Sequence, residues 1–233
     1  MSILDVIKEV CPVIGLKVPD AVFSSTEREH VELKALANKM AKRIAFDSGH
    51  DWTELKQIAA LAGDGLKQAF DLPPDYKRML KKARLWPSDQ PFAPMVHYPD
   101  TDEWLAMNIT HFSTVTGRWT MMGEKLLVLP IQPAGTTVNF AYISNNIART
   151  KDRVLKVQFT DDTDVFRLSE RVLELGMVWQ WKANKGMPYA EDMSNYEDAL
   201  AMETGSNKGS NILTMGRQRY GGADIAFPGV IKP

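Results

Sequence analysis

From Asp161 to Met202 the chain reads DDTDVFRLSERVLELGMVWQWKANKGMPYAEDMSNYEDALAM, a stretch with room for little other than a helical hairpin. At about 100° per residue, Leu168, Val172, Leu175 and Trp179 form one apolar stripe, and Phe166, Leu173, Met177 and Trp181 form a second roughly opposite it. Arg167, Glu170, Arg171, Glu174 and Lys185 fill the arc between. Asp161, Asp162, Thr163 and Asp164 offer side-chain oxygens and negative charge to the free N–H groups of a helix start, so the first helix is expected to open there. Gly186 supplies a left-handed stop, Pro188 suits the first position of the next helix, and Met193, Tyr196 and Leu200 give that helix one apolar face. A helix apolar on two faces is either enclosed by its own core or packs inward with one face and on a neighbour with the other.

The rest of the composition narrows the class. At 233 residues the chain can bury a sizeable core, as one domain with an insertion or as two small ones. A single cysteine, Cys11, rules out an internal disulfide framework and a multi-cysteine zinc site. The start, MSILDVIKEV, lacks a basic leader, and no run approaches the roughly 18 apolar residues of a membrane span, so a soluble protein made inside the cell is expected. With 28 Lys plus Arg against 29 Asp plus Glu, the formal charge of -1 exerts no overall pull toward nucleic acid.

Helical spacing recurs at the N-terminus. Ile3, Leu4, Ile7 and Val10 predict a short helix that Cys11-Pro12 ends or bends. Ser24 and Glu27 form a capping-box pattern ahead of Leu33, Leu36, Met40 and Ile44, predicting a helix to Asp47 with a charged outer face. Asp51 and Glu54 repeat the pattern before Leu55, Ile58 and Leu61, where Gly63-Asp64-Gly65 closes a third short helix.

From Leu72 the texture changes. Pro73, Pro74, Pro87, Pro91, Pro94, Pro99, Pro130 and Pro133 interrupt any long helix, and short alternating runs stand between them. Arg118 to Met122 and Lys125 to Leu129, joined by Gly123-Glu124, predict a hairpin, and Thr137 to Ser144 and Leu155 to Phe159 predict strands. Thr101 to Phe112 reads either as a helix capped by Asp100 or as a strand. After Glu203 glycines dominate with no period, while Ile212, Leu213, Met215, Tyr220, Ile225 and Phe227 are spaced along the segment. Apolar anchors on a flexible thread predict an arm that orders on binding.

Motifs that carry catalysis are missing from the sequence. His30, His50, His97 and His111 are scattered, no GxSxG, phosphate-binding glycine loop or GxGxxG opens a helix, and the Asp161 to Asp164 cluster lacks the remainder of a calcium loop. Cys11 beside a proline on an apolar face reads as a small core residue. Trp52, Trp86, Trp104, Trp119, Trp179 and Trp181 have no basic interleaving, so they read as core and interface anchors. No cofactor or metal is expected, and an enzyme using His97, His111 and Asp161 to Asp164 is the weakest reading.

Two stretches carry a resemblance: Leu72-Pro73-Pro74-Asp75-Tyr76 at the entry to the β-rich part, and VFRLSERVLELGMVWQWKANKGMPYAEDMSNYEDAL from Val165 to Leu200. With the order of elements, they make the chain similar to the head-to-tail adaptor proteins of tailed bacteriophages, the tail tubular protein A type of short-tailed phages. The resemblance implies an α+β fold: a helical bundle from N- and C-terminal segments (residues 1–71 and 161–204), a sandwich-like β insertion (72–160) and an extended C-terminal arm (205–233). It implies a non-enzymatic virion protein of the neck or tail, assembled in the host cytoplasm as a dodecameric ring beneath the portal protein. Such a ring extends the channel through which double-stranded DNA passes without sequence-specific binding, and offers a platform to the tail nozzle or tail tube protein; no membrane is involved. A ring needs two different contact surfaces per subunit, and Phe166, Leu173, Met177 and Trp181, with Ile212, Leu213, Met215, Tyr220, Ile225 and Phe227 of the arm, are the candidates for subunit or portal contacts. The alternative is a β-rich carbohydrate- or peptide-binding module of a phage tail with Trp104 and Trp119 as its platform.

Overall fold

The computed structural model describes residues 1–90, 92–110 and 117–207. The first elements are α1 (Ile3–Val13), α2 (Arg28–Lys42) with a π turn after it (Arg43–Asp47), and a 3-10 turn (Thr53–Leu55). Next come β1 (Lys56–Ala62), β2 (Ala69–Asp71), β3 (Tyr76–Met79), β4 (Trp86–Pro87), β5 (Val96–His97) and α3 (Thr101–Thr110). They are followed by β6 (Arg118–Met122), β7 (Lys125–Leu129), β8 (Thr137–Ser144), β9 (Ala148–Arg149), β10 (Leu155–Lys156) and β11 (Val165–Phe166). Two helices close the described chain, α4 (Glu170–Asn184) and α5 (Ala190–Asn207). The fold is α+β; among the described residues it divides into a helical unit, residues 1–56 and 143–207, and a β-rich unit, Gln57–Tyr142.

In the helical unit α4 is the central element, packing against α1, α2 and α5. Three neighbours enclose one helix, which is why it is apolar on two faces. The approach is close at Gly176, where a Cβ would sit 2.7 Å from Met40 Cε and 3.1 Å from the Tyr196 ring. Helix α1 begins with a reciprocal box: Asp5 N–H donates to Ser2 Oγ at 3.2 Å and Ser2 N–H to Asp5 Oδ2 at 2.9 Å. It buries Ile3, Val6, Ile7, Val10 and Cys11, and runs past Pro12 to Val13. The Ser24 box expected before α2 does not form; Glu27 is the N-cap, while Ser25 Oγ accepts from Glu27 N–H at 3.2 Å.

The acidic run Asp161 to Asp164 caps a helix, but not the one that follows it. Helix α4 starts at Glu170 behind Ser169, and β11 lies between. The carbonyls of Asp164 and Asp162 instead accept from Ile3 N–H at 2.7 Å and Leu4 N–H at 3.2 Å, the open donors of α1. Asp162 Oδ1 also accepts from Val22 and Phe23 N–H at 3.0 and 3.1 Å, and the buried Asp164 carboxylate takes Lys156 Nζ at 2.8 Å and the Thr160 and Asp161 N–H groups. The run is therefore a long-range clamp on the N-terminal segment, a role that local spacing does not reveal.

In the β-rich unit one sheet has the order β2-β7-β6-β5 and the other β1-β8-β3 with β4 paired to β8. The hairpin of β6 and β7 has its expected bounds, and its turn residues Gly123 and Glu124 both adopt positive φ, at 57° and 63°. Both sheets feed one apolar cluster that includes Leu61 from β1, Phe70 from β2, Trp119 from β6, Leu126 and Val128 from β7, and Val138, Phe140 and Tyr142 from β8. That shared interior is the sandwich-like core. Asp100 Oδ1 accepts from Asp102 and Glu103 N–H at 2.8 and 3.1 Å, and the segment after it is helix α3.

Two boundaries move from their expected positions. The third short helix is absent: after the 3-10 turn, Lys56–Ala62 is strand β1, so Ile58 and Leu61, three apart, fall on opposite faces, 79% exposed and 8% exposed. The β-rich unit consequently begins at Gln57 rather than Leu72. At its other end, the chain from Ile143 to Phe166 belongs to the helical unit, where β10, β9 and β11 form a small sheet and Arg167 Nη1 donates to Asn146 O at 2.7 Å.

Candidate interaction surface

The four described residues expected at a subunit or portal contact do not form an exposed surface. Phe166, Leu173, Met177 and Trp181 are all buried inside the helical unit, as are Val172 and Trp179 of the other stripe. The second stripe is consumed by α4's own neighbours, which corrects the expectation that one stripe is left for a partner. Phe166 meets Phe159 edge-on with centroids 6.0 Å apart, and Trp179 stacks on Tyr196 at 6.0 Å under the Arg43 guanidinium at 5.0 Å. Ile212, Leu213, Met215, Tyr220, Ile225 and Phe227 lie outside the described residues.

Much of the helical unit's polar surface is engaged in pairs. Lys185 Nζ reaches Glu32 Oε2 at 2.6 Å and lies 4.6 Å from the Trp181 ring centre, lidding that side chain. Lys185, then Arg28, hold the Glu32 carboxyl below the usual glutamate range. Lys182 pairs with Asp192 at 2.7 Å between α4 and α5. Helix α5 extends to Asn207, whose side chain joins Thr53 and Glu54, so three residues assigned to the arm belong to a helix.

Residues considered for chemistry are placed in structural roles. Cys11 is fully buried and burial pushes its thiol pKa up, away from the reactive thiolate. His97 stacks on Trp119 with centroids 4.4 Å apart, and burial pushes its pKa down. The Asp161 carboxylate accepts from Thr163 and the Asp164 carboxylate is taken by Lys156, and His111 lies outside the described residues. Trp104 and Trp119 are 1% and 3% exposed, so the platform required by the carbohydrate reading is not formed by them. Among the described residues no group of three or more His, Cys, Asp or Glu side chains is arranged to hold a metal ion, and no helix is long and apolar enough to cross a membrane.

Sequence periodicity did not indicate one surface that stands open in the β-rich unit. On the outer face of the β1-β8-β3 sheet a groove of about 370 Å³ is lined by Ile58, Leu80, Ala83, Trp86 and Ala141, with Lys82 and Arg84 at its edge. Trp86 is 43% exposed, and its partner in register is Asn139 of β8. Both charged lining residues are cations, and Lys77, Arg78 and Lys81 lie in the same segment, putting five cations within the eight residues KRMLKKAR. The signal was present in the sequence as that cluster in an otherwise balanced chain. What turns it into a surface is Ile58, which strand β1 directs outward.

No protein-family model matches the chain, and no curated protein shows significant similarity to it.

Proposed function

We propose that this chain is a head-to-tail adaptor of a tailed bacteriophage, a structural protein that forms a ring beneath the portal, extends the DNA channel and offers a platform to the tail nozzle or tail tube protein. The observation that carries the reading is the build of the helical unit. Segments from both sides of the β-rich insertion in the sequence, residues 1–56 and 143–207, are joined by the Asp161 to Asp164 clamp. This is the arrangement that the resemblance of the Val165 to Leu200 stretch implies. Near-neutral net charge supports it as well, because a channel that held phosphates tightly would hinder a moving genome. In this reading no cofactor takes part, and the protein works in the virion neck after assembly in the host cytoplasm.

The apolar positions Ile212, Leu213, Met215, Tyr220, Ile225 and Phe227 would act as anchors of an arm on the portal or a neighbouring subunit, ordering on a template whose avidity offsets the entropy lost. Because Asn207 caps a network in the helical unit, the informative truncation removes residues 208–233 and leaves Asn207 in place. The shortened protein is expected to fold and to lose its hold on the portal. The decisive experiment is electron microscopy of the full chain mixed with portal rings of the cognate phage. A ring with a central channel stacked on the portal is expected; absence of both ring and portal binding would end the adaptor reading.

A further inference from the structure

We propose that copies of this chain associate head to tail, the basic-edged groove of the β-rich unit receiving helix α5 of a second copy. The inference rests on the reading of the chain as a ring component, which requires two different surfaces on every subunit.

The groove has an aliphatic and indole floor with cations along one edge: Ile58, Leu80 and Trp86 supply the floor, Lys82 and Arg84 the charge. An occupant must bring carboxylates beside at least one apolar side chain. Helix α5 has that composition. From Ala190 to Asn207 it contains Glu191, Asp192, Glu197, Asp198 and Glu203 and no Lys, Arg or His. Asp192 is committed to Lys182. Glu191, Asp198 and Met202 are exposed and, at spacings of seven and four residues, share one helical face. Met202 is 73% exposed, an apolar knob beside a carboxylate. An acidic face with one apolar anchor therefore has its complement in a basic edge with an apolar floor.

Two other occupants fit less well. Residues 208–233 contain Lys208, Arg217, Arg219 and Lys232 against the single Asp224, so that segment repeats the groove's charge instead of opposing it. A single-stranded nucleic acid would match the cations, but sequence-tolerant strand binding uses successive aromatic platforms, and of the two aromatic side chains in this lining Trp86 is exposed while Phe140 is buried. Groove and helix are different surfaces of one protein, so each copy can offer both and the contact can repeat around a ring.

The experiment uses the full chain in two complementary formats. Lys82→Glu and Asp198→Lys are both on exposed positions, and circular dichroism checks that each variant folds. Measured by sedimentation, each alone should self-associate at least about tenfold more weakly than wild type, while an equimolar mixture regains association because the reversed charges face each other. In the second format, Lys82→Cys protein is mixed with Asp198→Cys protein under mild oxidation; Cys11 is buried and does not compete. A disulfide-linked dimer should appear in the mixture and not with either protein alone. Absence of that dimer, or charge variants that associate like wild type, would overturn the proposal, as would a mixture that recovers nothing. Added poly-thymidylate that binds in place of the second copy would assign the groove to nucleic acid and count against it. Portal mixtures separate this contact from the adaptor reading. Lys82→Glu protein that still forms rings on portals sinks the groove contact alone, and a cysteine pair that links without any portal association sinks the adaptor reading alone.

Discussion

The helical unit and the β-rich unit use apolar side chains in opposite ways. In the helical unit the two-striped helix α4 is enclosed by α1, α2 and α5, and Lys185 lies over Trp181 at the rim. In the β-rich unit the interior is fed from both sheets, yet Ile58 and Trp86 stay outside, 79% and 43% exposed, beside a cluster of cations. A hydrophobic pattern therefore marks the core in one unit, whereas single exposed residues mark the surface in the other. The difference is geometric: a helix with three neighbours can bury most of its circumference, but a strand in a two-layer arrangement must turn alternate residues away from the shared core.

The largest expected effect is at the clamp. Asp164→Ala leaves Lys156 and the Thr160 and Asp161 N–H groups without their acceptor, and chemical denaturation should show a loss of about 3–5 kcal/mol. A loss near zero would mean that the Asp164 carboxylate does not hold the loop around it in the shape that presents its carbonyls to α1. Leu173→Ala should cost about 2–5 kcal/mol, because α4 is enclosed and the cavity has little freedom to collapse. If that variant instead keeps its stability and loses self-association, α4 carries an intersubunit face after all and the contrast between the units disappears.

Gly176→Ala should cost about 1–3 kcal/mol by forcing Met40 and Tyr196 apart. Ile58→Ser, on the exposed side of β1, should change stability by less than about 0.5 kcal/mol in the same assay, so the two residues separate a packed site from a spare one.

Another small effect tests electrostatics within the helical unit. Burial and the neighbouring Glu9 hold the Glu174 carboxyl above the usual glutamate range. The folded state therefore binds this proton more tightly than the unfolded chain. The contribution is fully present below the ordinary carboxylate pKa and is lost as pH rises through the raised value. Glu174→Gln should accordingly raise stability at neutral pH, by under about 1 kcal/mol since the group is partly solvated, with the gain vanishing in acid. A variant less stable at neutral pH would show that the carboxylate makes a favourable contact stronger than its repulsion from Glu9.

Local signals in the sequence were enough for several elements. The bounds of β6, β7 and β8 are legible as Arg118–Met122, Lys125–Leu129 and Thr137–Ser144, because alternation and a Gly123-Glu124 turn are set within a few residues. The α4 and α5 hairpin is legible for the same reason, as is the division into a helical part drawn from both ends and a β-rich middle. Two features were not legible. The segment around Ile58 has helical spacing but becomes β1, since pairing in the sheet outweighs a weak local preference. The acidic run reads as a cap for the helix after it, while its carbonyls and carboxylates serve Ile3, Leu4, Val22 and Phe23.

The sequence alone determined the α+β class, the two-striped helix, the core of the hairpin and the absence of recognised catalytic motifs, all of which depend on periodicity or on residue identity. Tertiary structure decided which stripe was available. Periodicity states that a helix has two apolar faces but carries no information about how many neighbours approach it, and α4 has three. It likewise decided that Lys82 and Arg84 edge a groove with Ile58 at its floor, because these residues meet only when β1, β8 and the segment before β4 come together.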